Sequence, residues 1–302
     1  ASAEQMLDAI DRYAVPPDRG EQAEIAGMRG DIAFYRGDYP AAWRLYEEAD
    51  RLEPGSASFR RAIFHSKTGR TDLAAGQFES YRRSLSRPTR QLLANVELQR
   101  GILHLDTGRW AEALDHFRRA DAIFPGWWLV EEHIAETTAL LGDTNSAERM
   151  YRRVVERTRA PEFMDALAAL LMARGAADEA DRLRTRSRAL WEVRLRQFPE
   201  ASYGHALDHC AAFGDLQCAL RLARANHAAR PYGEAGERLA ELLTEAGEHA
   251  EARLVVDGVL RSLWRTPQLL ATAAKVYEAT GGAGAAEQFR EQALRLNPRI
   301  LD

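Results

Sequence analysis

The stretch YGHALDHC, residues 203–210, holds three side chains able to do chemistry together. His205, Asp208 and His209 stand at i, i+3 and i+4, so on a helix they share a face. Imidazole and carboxylate are a normal ligand set for zinc, iron or manganese. His133 and Glu136 repeat the same H-x-x-acid spacing, and Asp165 lies between the two groups. What these residues can do depends on the elements that carry them.

The chain has 302 residues, 46% hydrophobic and 28% charged, the balance of a protein with buried cores. No run approaches the roughly 18 apolar residues of a membrane span. The net charge is −4, and the arginines of ADRLRTRSRALWEVRLRQF point all round their helix, so no basic face suits nucleic acid. Only Lys67 and Lys275 are lysines. The chain starts at Ala1, which leaves a cytoplasmic location and an exported, periplasmic one after removal of a targeting segment both open. Cys210 and Cys218 are too few for a disulfide framework, and sequence leaves open whether they bridge. A bridge would favour export.

The elements come from a repeat. A glycine followed five residues later by an alanine recurs at 37/42, 69/74, 108/113, 142/147, 175/180, 214/219, 247/252 and 281/286. Successive glycines are 32, 39, 34, 33, 39, 33 and 34 residues apart. Seven residues before the glycine the side chain is small, except at Leu207. A proline follows each unit. This predicts helical hairpins: the glycine takes the left-handed conformation of a C-cap, a second helix starts at once, small residues let the pair pack closely, and the proline ends the unit.

The segments GDYPAAWRLYEEADRLEP, GRWAEALDHFRRADAIFP and GGAGAAEQFREQALRLNP carry a resemblance to the tetratricopeptide repeat family, extending over about residues 23–298. The resemblance implies an all-α fold, a right-handed α-solenoid of about eight hairpins over residues 23–302, two of them extended. Residues 2–14 read as a helix within an N-terminal cap, residues 1–22, that shields the exposed end. The second helix of the fifth repeat reads as running from about Asp178 to Phe198, long enough to dock on a neighbour or to support self-association.

In that family the first helices line a concave groove, at positions about 13, 10, 9 and 6 before the glycine. Here those positions give Glu24, Met28, Asp31, Phe59, Arg60, Ile63, Asn95, Gln99 and Ile102 in the first three repeats, a mixed lining. Repeats four to seven give Leu129, Glu132, His133, Glu136, Glu162, Asp165, His205, Asp208, Glu234, Glu237, Arg238 and Glu241, with His209 one place on. The lysine, arginine and asparagine clamp that some members use for carboxyl-terminal tails is missing, and this acidic lining would repel a carboxylate. Trp127 and Trp128 open the fourth repeat, either as packing between repeats or as a cation–π wall at the groove's lip.

The expected function is therefore a non-catalytic binding module or scaffold for a protein partner, holding a basic peptide or other cationic ligand, with no cofactor required. The alternative is a metal-binding protein or metalloenzyme that holds a divalent transition metal with His205, His209, Asp208, Asp165, His133 and Glu136. Packed helices lie roughly 8–10 Å apart, so Asp165 with His205, Asp208 and His209 is the tighter set. YGHALDHC is also similar to the H-x-x-E-H string of one metallopeptidase class, but Asp208 replaces the glutamate and that fold is not a helical repeat. No catalytic residue is assigned. His65 and His104 read as core histidines, Trp43 and Trp110 as core, and Trp191 and Trp264 as fillers between repeats.

Overall fold

The computed structural model describes residues 3–10 and 17–301. Among these every regular element is a helix. α1 (Ala3–Ile10) precedes eight hairpins: α2/α3 (Arg19–Tyr35, Tyr39–Leu52), α4/α5 (Ser58–Lys67, Thr71–Ser84), α6/α7 (Arg90–Asp106, Trp110–Ile123) and α8/α9 (Trp128–Leu140, Thr144–Thr158). Then come α10/α11 (Pro161–Ala173, Ala177–Gln197), α12/α13 (Pro199–Ala212, Leu216–Ala229), α14/α15 (Gly233–Glu245, His249–Arg261) and α16/α17 (Pro267–Ala279, Ala283–Leu296). No described helix is long and apolar enough to cross a membrane.

The hairpin logic holds at each repeat. All eight repeat glycines have φ between +72° and +94°, and each second helix begins two residues later. Asp38, Asp143 and Asp215 cap three of those helices, each accepting a main-chain N–H at 3.0 Å. The small position seven residues before the glycine is a contact: a Cβ on Gly30 would lie 2.5 Å from the Tyr46 ring, and one on Gly101 2.3 Å from Phe117. The sixth repeat solves the same problem in reverse. Leu207 is buried, and Ala223 occupies the position where the first four repeats carry Tyr46, Phe78, Phe117 and Tyr151, so bulk moves from one helix to the other.

The fifth repeat's second helix spans Ala177–Gln197, as its spacing predicts, and Trp191 and Leu195 dock on the core of the sixth repeat. At the N-terminus α2 starts at Arg19, a few residues earlier than expected, because Asp18 and Glu21 form a reciprocal capping box. α1 falls within the expected cap helix over 2–14, its Leu7 is buried and its Asp8 pairs with Arg29 of α2; residues 2 and 11–16 lie outside the described residues. Cys210 and Cys218 are bridged across the turn of the sixth repeat, with a Cα–Cα distance of 5.7 Å.

The array closes on itself. The glycine turns of the first three repeats meet the chain segments that follow repeats six, seven and eight. The Gly233 N–H donates to Tyr39 Oη at 2.7 Å, across 194 residues. The Arg265 N–H donates to the Lys67 carbonyl at 2.9 Å. Asn297 Nδ2 donates to the Asp106 carbonyl at 3.1 Å. Behind these bonds Phe34, Tyr39 and Phe64 share one buried cluster with Val259, Trp264 and Leu269. The seam is thus made by turns and side chains at one edge of the solenoid.

Two tryptophans depart from expectation and a third does more than expected. Trp43 and Trp110 are half-buried and not core: Arg61 stacks on Trp43 at 4.7 Å and Arg299 on Trp110 at 4.5 Å, which suits an amphipathic ring at a rim. Trp264 lies in the segment after α15, and fills the seam as well as the joint between repeats. His65 is buried as expected, whereas His104 is half-buried and stacked on His116 at 5.0 Å.

The seam separates glycines that look alike. A Cβ at Gly37 would lie 2.6 Å from the Pro231 carbonyl oxygen, whereas one at Gly175 would meet nothing within 4 Å. Asparagine tolerates the left-handed conformation both need. Gly37→Asn is therefore expected to cost about 1–2 kcal/mol more than Gly175→Asn, the price of forcing a main-chain contact apart. Urea denaturation of the two variants measures the gap, and equal losses would mean that the seam is not a stable contact.

Candidate functional site

The residues expected to line the groove of repeats four to seven lie on the first helices α8, α10, α12 and α14. On α8, the fourth repeat brings Glu132, His133 and Glu136 together. His133 Nδ1 lies 3.1 Å from Glu136 Oε2 and 3.5 Å from Glu132 Oε2, and its ring stacks on Phe117 at 5.0 Å. Burial pushes the Glu132 carboxyl up to about 7, with His133 opposing and Glu136 adding to the rise. Burial also works against a charge on His133, but the hydrogen bond to Glu136 and the charges of Glu132, Glu136 and Asp106 outweigh it and raise its pKa.

Closure brings in residues that lie far away in sequence. Lys67, at the end of α4, pairs with Asp106 of α6 at 3.3 Å. Burial disfavours its charge, yet Asp106, Glu234 and Glu237 keep it raised, so α14 of the seventh repeat faces the second and third repeats. Glu237 accepts from Thr266 Oγ1 at 2.6 Å and from Trp264 Nε1 at 3.3 Å. Burial nevertheless pushes it up to about 7, against the Thr266 bond and with help from Glu234. Neither Lys67 nor Asp106 could be singled out by motif. Lys67 is one of only two lysines, and that was its sole mark.

The residues of YGHALDHC divide. His209 is buried, with Nδ1 at 2.8 Å from Asp165 Oδ1. Trp191 Nε1 donates to the other Asp165 oxygen at 2.8 Å, so Asp165 is used within the joint between repeats five and six. Asp208 is exposed and pairs instead with Arg238 of α14 at 3.3 Å. Arg238 also pairs with Glu241 at 2.5 Å. His205 is exposed and lies 6.2 Å from the Trp191 ring, centroid to centroid. Glu162 is held by Arg194 at 2.8 Å. Trp128 stands 43% exposed against Phe163, while Trp127, half-buried, packs against the core of repeats three and four.

The six residues named as a metal set therefore do not converge. His133 and Glu136 share one place, His209 and Asp165 another, and His205 and Asp208 splay apart, because first helices two repeats apart cannot reach one ion. Among the described residues the one group of three donors within 4.8 Å of one another is Glu132, His133 and Glu136. Sequence placed Glu132 in the groove but not among the ligands.

The first two repeats hold a different surface. A cavity of about 450 Å³ is lined by Tyr35, Tyr46, Phe59, Ile63 and Tyr81, among others. Arg60 there is held by Glu24 at 2.7 Å and by Asp31 at 2.9 Å, so its charge is matched within the fold.

No protein-family model matches the chain, and no curated protein matches it. Solved structures do. Yeast Tom70 aligns over 98% of this chain and 60% of its own length, with 15% identity and a TM-score of 0.55. A tetratricopeptide repeat protein from Parabacteroides merdae aligns over 80% of this chain and 93% of its own, with 15% identity and a TM-score of 0.47. Pseudomonas aeruginosa pilF aligns over 70% and 94%, with 17% identity and a TM-score of 0.49.

Proposed function

From a chain with the tetratricopeptide-repeat fold, we propose a non-catalytic interaction scaffold that takes a basic segment of a protein partner into its interior. The observation that carries this reading is the imbalance of charge inside the coil. The first helices of repeats four to seven carry Glu132, Glu136, Glu234, Glu237 and Asp208 but a single arginine or lysine, Arg238; Lys67 approaches Glu234 and Glu237 from α4, and burial pushes both Glu132 and Glu237 up to about 7. A lysine or arginine side chain from a partner would supply the missing countercharge, and Trp128 offers an aromatic face beside it. Asp165 and Glu162 contribute less, since His209, Trp191 and Arg194 already occupy them. The Cys210–Cys218 bridge supports an oxidising compartment.

The test is the binding of a fluorescent arginine- and lysine-rich peptide to the full chain and to the Glu132→Gln, Glu136→Arg double variant. The expected loss is about tenfold or more in affinity, equivalent to about 1.4 kcal/mol. Wild-type affinity is expected to rise as pH rises through about 7, because ionised Glu132 and Glu237 are the cation-binding forms. Unchanged affinity in the variant removes the basis of the proposal.

A second reading rests on the Glu132, His133 and Glu136 donors. One imidazole and two carboxylates suit zinc, manganese or iron, and His133 Nδ1 would exchange its Glu136 hydrogen bond for the ion. Calorimetry with zinc or manganese on the purified chain tests it: binding that is lost in His133→Ala supports a metal site, and no heat of binding rules against one.

A further inference from the structure

The seam creates a cleft that neither terminal half possesses alone. Gly69 turns the chain so that Arg70 follows α4 at once, and the segment Ser262–Arg265 is brought against it by the Arg265–Lys67 main-chain bond. Together with α3 they enclose a cavity of about 560 Å³. Its apolar walls are Pro40, Trp43, Phe64 and Leu263; its charged groups are Arg44, Arg70 and Arg265, and no carboxylate lines it.

Those three arginines are not neutralised from within. Arg265 donates only to main-chain carbonyls, of Leu260 at 2.7 Å, Ser262 at 3.0 Å and Trp264 at 2.5 Å, and burial lowers its pKa. Arg70 donates to Thr68 Oγ1 at 3.1 Å and stands over the Trp43 and Phe64 rings at 5.8 and 5.7 Å. Arg44 is exposed on α3. Among the described residues none of the three forms an ion pair. The contrast is with Arg60 on the inner face, which two carboxylates hold. The neighbouring His65 feels the same positive field. Its ring lies 5.2 Å from Trp43, and burial, then Arg70 and Arg61, push it down to about 4. In a chain of net charge −4 this is a local reversal of sign.

We infer that the seam cleft binds an acidic peptide segment of a partner protein, with its carboxylates on Arg44, Arg70 and Arg265 and an adjacent apolar side chain against Trp43 and Leu263. A bare inorganic anion would satisfy the arginines but leave the apolar walls wet, and Leu263 is 47% exposed without a cover. Nucleic acid fits poorly because the positive charge is a pocket and not a stripe. The peptide would touch both sides of the seam, so it would bind only the closed coil and stabilise it. This surface is separate from the acidic interior and does not depend on what that interior binds.

The experiment uses the full chain and a fluorescent peptide of aspartate and glutamate around one phenylalanine. A lysine-substituted peptide and inorganic phosphate serve as comparisons. The acidic peptide is expected to bind and to raise the thermal midpoint, and the lysine peptide to do neither. The Arg44→Glu, Arg70→Glu double variant, both positions being exposed, is expected to weaken binding by about tenfold or more with unchanged circular dichroism. Leu263→Ser is expected to weaken the same peptide by several fold. Equal binding of the acidic peptide to the double variant, or no binding to the wild type, overturns the proposal. Inorganic phosphate raising the midpoint as much as the peptide does would also overturn it, by reducing the cleft to a simple anion site.

Discussion

Trp264→Ala is expected to lower the unfolding free energy by about 3–5 kcal/mol and to split one unfolding transition into two. The indole is 1% exposed and stands 6.0 Å from both Phe34 and Tyr39 and 6.1 Å from Tyr232, ring to ring. It also occupies the space that a side chain at Gly233 would need: a Cβ there would lie 2.1 Å from the indole. Removing it empties the middle of the cluster that joins the first two repeats to the last two. An open solenoid unfolds as a row of units coupled to their nearest neighbours. Here the seam adds a coupling between the two ends, and Trp264 is its largest buried side chain. Calorimetry would show the split, and small-angle scattering a larger radius of gyration under native conditions. A single transition with an unchanged radius would mean that closure does not depend on this cluster.

Glu132→Gln is expected to stabilise the protein above neutral pH by up to about 3 kcal/mol, and to have little effect near pH 4.5. The carboxyl titrates at about 7 in the folded chain, against an ordinary value of 4.5. The folded state therefore holds an extra proton between those values. The associated stability is present below the unfolded pKa and is lost as pH rises through the folded one. Glutamine mimics the protonated acid, so the variant gains where the wild type has ionised a buried group. Below neutrality the gain fades, because the wild-type Glu132 is then protonated as well. Urea denaturation of both proteins at pH 5, 6.5 and 8 checks the slope. A gap independent of pH would show that the carboxyl is not strained by burial.

The repeat was legible because it rests on local rules. A glycine with positive φ, a small residue seven positions earlier and a proline beyond the second helix each fix a few residues of backbone, and eight copies reinforce one another. Even the extended second helix of the fifth repeat could be read from residue spacing. The same register named Glu132, Glu136 and Glu237, which the structure sets half-buried on the first helices α8 and α14, Glu136 among them least enclosed. Closure could not be read, because all eight glycines obey one local rule, and only Gly37, Gly69 and Gly108 also touch a segment far along the chain. The grouping of donors failed for the related reason that register gives direction and not reach. It placed His133 and His205 on one face, but only the packed structure shows that Asp165 is held by Trp191 and His209 while Glu132 turns toward His133.

The three seam contacts also act as a count. The first, second and third turns meet the segments after the sixth, seventh and eighth repeats, in step. An open array can gain or lose an internal repeat and only change in length. In this chain such a change would shift all three pairings by one unit, setting Tyr39, Lys67 and Asp106 against the wrong partners. The number of repeats between each turn and its partner segment is thus fixed by the three pairings together.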